Sequence, residues 1–168
     1  MNREEFGKLY DSYVSPIYRF VLLRVGNTAD AEDLTQHIFL KAWQNIHKYK
    51  KRKGIPFTSW LYRIAQNAVV DHYRTKKAHL DINSSTARNA IVEHFSSDSV
   101  EDKIAIQKVY RALEALTETE RNVIIMRFVE ELSVKEVAEA LEKSQSSIRV
   151  TQYRGLKKLK QAIDDGHK

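Results

Sequence analysis

The sequence predicts an all-α fold of two small helical domains joined by a flexible acidic linker, with a helix-turn-helix in the second. Three observations carry this. Apolar residues recur mostly three and four apart rather than in alternation, only 5 Gly and 2 Pro interrupt 168 residues, and the apolar pattern fades between Ala78 and Ile104. With 42% hydrophobic and 30% charged residues and no run of about 18 apolar ones, the chain has material for a core and none for a bilayer span.

Phe6, Leu9, Tyr10 and Tyr13 form the first apolar stripe. Ser15 with Pro16 suits the start of a second helix carrying Ile17, Phe20 and Val21, which Gly26 and Asn27 stop. Thr28 suits the cap of a third, with Asp30, Glu32 and Asp33 on its positive end and a stripe of Ala31, Leu34, Ile38 and Ala42 ending near Ile46. Lys48, Lys50, Lys51, Arg52 and Lys53 then precede Gly54 and Pro56, a self-repelling and exposed loop. Thr58 suits the cap of a fourth helix running to about Lys77, with Leu61, Ile64, Ala65, Ala68 and His72 on its buried stripe.

The first domain is expected over 1–77, the linker over 78–104, where DINSSTARNA and HFSSDSVEDK break every apolar run, and the second domain over 105–168. Formal charges of +7, −3 and +2 in these segments make the linker an acidic stretch between two basic domains. In the second domain Ile106, Val109, Leu113 and Leu116 share a stripe, and Thr117 with Glu120 forms a capping-box pattern ahead of VIIMRF.

Net charge of +6 and a pI near 9.4 suit a polyanionic partner, through phosphate neutralisation and counterion release. The N-terminal MNREEFGKLYDSY lacks the basic-then-apolar order of a secretory signal and the chain has no cysteine, so a cytoplasmic location is expected. The 6 His are scattered, no Gly-rich phosphate loop is present, and neither catalysis nor a cofactor or metal is implied.

In LSVKEVAEALEKSQSSIRVTQYRGLKKLK, Ser133 suits the cap of a helix bearing Val134, Val137, Ala138 and Leu141. Ser144 suits the cap of a second, bearing Ile148, Leu156 and Leu159. This is either a plain helical hairpin with a basic face or a helix-turn-helix. In the latter, Gln145, Ser146, Arg149, Val150, Tyr153 and Arg154 reach bases or phosphates of the major groove, with Lys157, Lys158 and Lys160 beyond them.

On the fourth helix Trp60, Arg63, Asn67, Asp71 and Arg74 form a second stripe, displaced from the apolar one by roughly a third of a turn. Such a face has the chemistry for opened DNA: an indole that stacks, guanidinium groups for phosphates and an amide for an unpaired base edge. The alternative places Trp60 in the core and pairs Asp71 with Arg74.

ALTETERNVIIMRFVEELSVKEVAEAL followed by the capped helix resembles the fourth-region domain of bacterial sigma factors, which reads the minus-thirty-five element. DAEDLTQHIFLKAW resembles their segment that grips the beta-prime clamp helices of RNA polymerase, and FTSWLYRIAQNAVVDHYRTKK their promoter-melting helix. The whole is similar to the extracytoplasmic-function type, the group IV members of the sigma-70 family.

The resemblance implies a non-catalytic subunit that binds polymerase core through the clamp helices and the beta flap, recognises both promoter elements and melts DNA, commonly under an anti-sigma factor. It assigns Asp33, Leu34, Gln36 and Phe39 to the polymerase contact, although Leu34 and Phe39 taken singly are core types. It places Asn67 where the family holds a flipped base of the minus-ten element, and the Lys-rich loop with Lys51 and Arg52 where it recognises bases. The loop is longer and more basic than usual, His37 stands at a usually acidic position, and Glu142 replaces a usual Gly, implying backbone strain or a rearranged turn. A stand-alone helix-turn-helix regulator is the rival reading, and it leaves the N-terminal domain without a task.

Overall fold

The computed structural model describes residues 1–51, 54–76 and 85–166. These form helices α1 (Arg3–Val25), α2 (Thr28–Lys51), α3 (Phe57–Lys76), α4 (Ser85–Phe95), α5 (Val100–Ala112), α6 (Glu118–Ile124), α7 (Val134–Leu141) and α8 (Gln145–Asp165), with no strand among the described residues.

The first two expected helices are one. Pro16 lies inside α1, so the Ser12 carbonyl forgoes its helical donor. Burial of Ile17, Phe20, Val21, Leu22 and Val25 just beyond outweighs that single bond. Gly26 ends the helix in the left-handed region at φ 64°, its N–H on the Leu22 carbonyl. Asn27 rather than Thr28 caps α2, accepting from the Asp30 N–H at 2.9 Å. Helix α2 continues five residues past Ile46 into the basic segment.

The segment expected to be linker is partly helical: it holds α4 and the first turn of α5. Ala87, Ile91 and Phe95, four apart, turn one face of α4 inward, and His94 packs its ring 5.4 Å from that of Tyr18. Ser99 caps α5 by accepting from the Asp102 N–H. Along α5 the buried residues are Tyr110 and Ala112, and Val109, expected inside, is exposed.

After α5, Leu113–Ala115 tighten into a 3₁₀ turn, and Thr117 and Glu120 close the expected capping box. Helix α6 widens into a π-turn at Ile125–Val129, seen in the Glu130 N–H donating to the Ile125 carbonyl five residues back. That widening delivers Glu130 to the other half of the molecule.

The two halves pack directly on one another. The Glu130 side chain is 0% exposed; Arg19 of α1 donates to it through Nε and Nη2, both at 3.0 Å, and the Tyr62 hydroxyl of α3 donates at 2.9 Å. Burial raises the Glu130 carboxyl above its usual range, with the Arg19 and Tyr62 bonds pulling against it. Arg24, also buried, donates to Gln66 within its own half and to Asn122 and Glu118 across the seam. Burial lowers its pKa.

Glu130→Ala leaves a guanidinium and a buried phenol without their acceptor, and since water reaches part of Arg19 it should cost about 2–4 kcal/mol. Glu130→Gln keeps an acceptor and should cost less. Urea denaturation midpoints of both variants check the order.

Candidate nucleic-acid and polymerase interface

In the α7-turn-α8 unit the Ser133 hydroxyl accepts from the Glu136 N–H at 3.0 Å and the Glu136 carboxylate from the Ser133 N–H at 3.1 Å. The turn passes through Glu142 in the left-handed region, φ 55° and ψ 46°, with N–H groups of Glu142 and Lys143 both directed to the Ala138 carbonyl. The strained alternative expected from the missing Gly is therefore the one adopted. Ser144 caps α8 by accepting from the Ser147 N–H at 3.1 Å.

Ile148 plugs α8 into the core, and at Gly155 an added Cβ would lie 3.0 Å from Ile124 Cγ1, so α8 approaches α6 closely there. The buried face runs through Ile148, Gly155 and Leu159, and Leu156, expected inside, is turned partly outward. Gln145, Ser146, Arg149, Val150, Tyr153 and Arg154 all face solvent, Tyr153 at 68% exposure. Lys157 and Lys160 are exposed too, while Lys158 turns back to Glu120 at 3.0 Å. Burial works against the Glu120 charge, yet the Thr117 N–H and Lys158 hold its carboxyl below the usual range.

Helix α3 divides its polar stripe. Asn67, Asp71 and Arg74 are exposed on one line. Trp60 is 6% exposed, its ring 5.3 Å from Tyr49 and 5.7 Å from Phe57, so its bulk belongs to the core as the alternative reading held. Its edge still lines a groove of about 280 Å³ with Arg63, Ile64 and Asn67 of α3 and Lys41, Asn45 and Lys48 of α2. Lys41 and Asn45 escaped the sequence reading and Lys48 was placed in the basic loop, although their spacing of four and three marks one helical face. Arg63 donates through Nη2 to the Glu139 carbonyl, and its Nη1 lies 3.3 Å from the Glu142 carboxylate. Lys51 closes α2; its side chain and all of Arg52 lie outside the described residues.

On α2, Asp33 and Gln36 are exposed and Leu34 is half-buried. Phe39 is 5% exposed, edge-on to Tyr10 at 4.8 Å, so its ring packs in the core as its residue type taken singly suggests. The apolar residues that do reach solvent beside it are Leu40, at 53%, and Trp43, its ring tilted against that of Phe6 at 4.9 Å. Their spacing of three, one turn on from Gln36, was the available signal.

Among the described residues, an all-helical fold with a capped helix-turn-helix, a bare basic face and a second polar helix face has the features of a DNA-binding protein. Residues 9–79 match the Sigma-70 region 2 family and residues 106–159 the Sigma-70 region 4 family. Two curated relatives are ECF RNA polymerase sigma factors. BldN of Streptomyces coelicolor is 33% identical over 96% of this chain, which spans 61% of BldN. SigX of Bacillus subtilis is 30% identical over 96% of this chain and 84% of SigX.

The chain belongs to the ECF sigma factor family, whose members are non-catalytic. Two solved structures share its fold at a TM-score of 0.73. CnrH, in complex with the cytosolic domain of CnrY, is 22% identical with 98% of this chain and 90% of that one covered. RpoE of Bartonella quintana, in complex with the anti-sigma factor NepR, is 18% identical with 96% and 98% covered.

Phe39→Ala empties a packed aromatic site and should lower stability by about 3 kcal/mol. Gln36→Ala, at an exposed position, should leave it within about 0.5 kcal/mol of the parent. Thermal unfolding of the two full-length variants separates them.

Proposed function

We propose that this chain binds RNA polymerase core, reads promoter DNA through two surfaces and opens it between them, catalysing nothing itself. The observation that carries the reading is the bare N-terminal face of α8, with Gln145, Ser146, Arg149, Val150, Tyr153 and Arg154 together at solvent on a capped, buttressed helix. That face suits the minus-thirty-five element in the major groove.

The groove edged by Trp60, Asn67, Lys41 and Lys48, with Asp71 and Arg74 along the same helix, suits the opened minus-ten strand: cations for phosphate, an indole edge for stacking and an amide for a freed base. Arg63 joins this set when it is free of the helix-turn-helix half. Asp33 and Gln36 with exposed Leu40 and Trp43 supply the polar and apolar mixture of a protein interface, here for the clamp helices of core. The beta flap is assigned to the C-terminal half on family grounds alone.

An anti-sigma partner is proposed from the two structural neighbours, both solved with partner proteins, the RpoE partner an anti-sigma factor. No helix among the described residues is long and apolar enough to cross a membrane, which accords with a proposed cytoplasmic site of action.

Mixing the full chain with polymerase core and a promoter should give core-dependent opening; binding by the chain alone with no effect of core would overturn the reading. Arg149→Ala and Arg154→Ala should each weaken minus-thirty-five recognition by roughly 1–3 kcal/mol if they contact bases, and less selectively if they contact phosphates. Titration of matched and scrambled duplexes distinguishes these.

Extruding a base costs a few kcal/mol of unstacking that contacts to it must offset. Asn67→Ala should therefore slow opening of a duplex promoter and recover much of its rate on a template with a pre-formed bubble. Unchanged opening on duplex, with core affinity intact, would remove Asn67 from the melting step.

A further inference from the structure

Three exposed apolar side chains of α5 serve neither of the proposed DNA surfaces nor the clamp contact: Val100 at 69%, Ile104 at 47% and Val109 at 43% exposure. Apolar area gathered on one helix face marks an interaction surface more than scattered residues do. Here it borders a groove of about 420 Å³ in which Glu101, Ile104, Ala105, Lys108 and Val109 of α5 stand beside Ile163 of α8. Buried Tyr110 lies nearly opposite on the helix, so α5 packs inward on one side and opens this one to solvent.

Successive helical positions are about 100° apart, which puts Glu101 and Lys108 close together on the centre line of the open face. Ile104 and Ala105 flank that line, one on each side, and Val100 and Val109 stand about a quarter turn out, one at each edge. Ala105 is exposed and Lys108 half-buried. The order reads alike from both ends. Measured from the midpoint between Ile104 and Ala105, valine answers valine, and acid answers base at equal distance.

A face ordered in this way complements itself. Laid on an antiparallel copy across a two-fold axis, Ile104 meets Ile104, Ala105 meets Ala105, and each Glu101 meets the second copy's Lys108. In a parallel pair the same two charges would each face their like, so the charges choose the antiparallel arrangement.

We propose that this face of α5 joins two copies of the chain, antiparallel and about a two-fold axis through the Ile104–Ala105 step. The proposal goes beyond the promoter reading and makes no use of it. One pair of 13-residue helices buries less than the roughly 1,200 Å² of a lasting interface, so the dimer is weak, half-formed at a concentration on the order of 100 µM.

Sedimentation velocity of the full chain from about 5 to 500 µM should show the monomer giving way to the dimer across that range. Ile104→Asp, at an exposed position, should keep the thermal unfolding of the parent and abolish the shift, because it sets two carboxylates against each other at the axis. Glu101→Lys turns two attractions into two repulsions and should weaken association by about three- to tenfold. Adding Lys108→Glu rebuilds both pairs in reverse and should restore it.

The chain has no cysteine, so Ala105→Cys introduces a single thiol. In the proposed pair, packed about 9 Å apart, the two Cα atoms of position 105 lie roughly 6 Å from one another, within disulfide reach. Mild oxidation should link this variant at least about tenfold faster than Gln44→Cys, an exposed control on α2.

A monomer throughout the concentration range would overturn the proposal and leave the face to a partner of different sequence. A dimer that survives Ile104→Asp, or that links Gln44→Cys as fast as Ala105→Cys, uses another surface and overturns it equally. Should Ile104→Asp fail to fold, the loss in Glu101→Lys and its recovery with Lys108→Glu decide the question, and loss without recovery rejects the antiparallel pair.

Discussion

Glu130 holds the molecule in one piece. Its carboxylate sits at the end of the α6 π-turn with no exposure to solvent, and two of the donors that satisfy it come from α1 and α3 in the other half. A straight α-helical continuation of α6 would place the side chain about 100° away around the axis, so the widened turn and the ion pair stand or fall together. A buried carboxylate with one partner removed is expensive, which makes the arrangement specific. Ser59, Arg63, Gln66 and Arg24 then find their own partners along the same seam.

Specific does not mean strong. Ion pairs taken out of water recover little beyond their desolvation, and parting the halves returns Glu130 and Arg24 to solvent that favours their charged forms. The raised Glu130 and lowered Arg24 pKa values carry the same message, each traced first to burial. A seam built from charges and main-chain carbonyls therefore fixes one geometry and remains separable, unlike the apolar cores on either side of it, where Phe20, Ile38 and Leu61 or Ile125, Met126 and Ile148 are wholly inside.

Local signals were legible in the sequence because their physics is local. The capping box at Thr117, the Ser133 and Ser144 caps, the Gly26 stop and the strain at Glu142 all follow from residues a turn apart. So did the stripe that puts Gln145, Ser146, Arg149, Val150, Tyr153 and Arg154 at solvent. What was not legible depends on partners distant in the chain. Helix α4 hides in polar composition because its apolar contacts are three residues four apart, and Pro16 continues a helix because the following turns bury an apolar face. Trp60 and Phe39 carry types that serve a core or an interface equally, and only Tyr49, Phe57 and Tyr10 around them decide for the core. The seam itself joins residues 111 apart at Arg19 and Glu130, which no periodicity foretells.

The two surfaces proposed to face DNA thus stand in different states within one conformation. On α8 the reading face is bare and its helix already fixed by caps and by the close approach at Gly155, so contact with duplex DNA requires no rearrangement. On α3 the stripe is only half free: Asn67, Asp71 and Arg74 reach solvent while Arg63 is engaged and Trp60 offers an edge. Duplex recognition demands a rigid preformed surface, because ordering side chains on binding subtracts from affinity. Melting demands the reverse, a surface whose full strength is reached only as strands part, since contacts made equally to closed and open DNA drive no opening. The preformed face on α8 and the partly withheld face on α3 match those two requirements in turn.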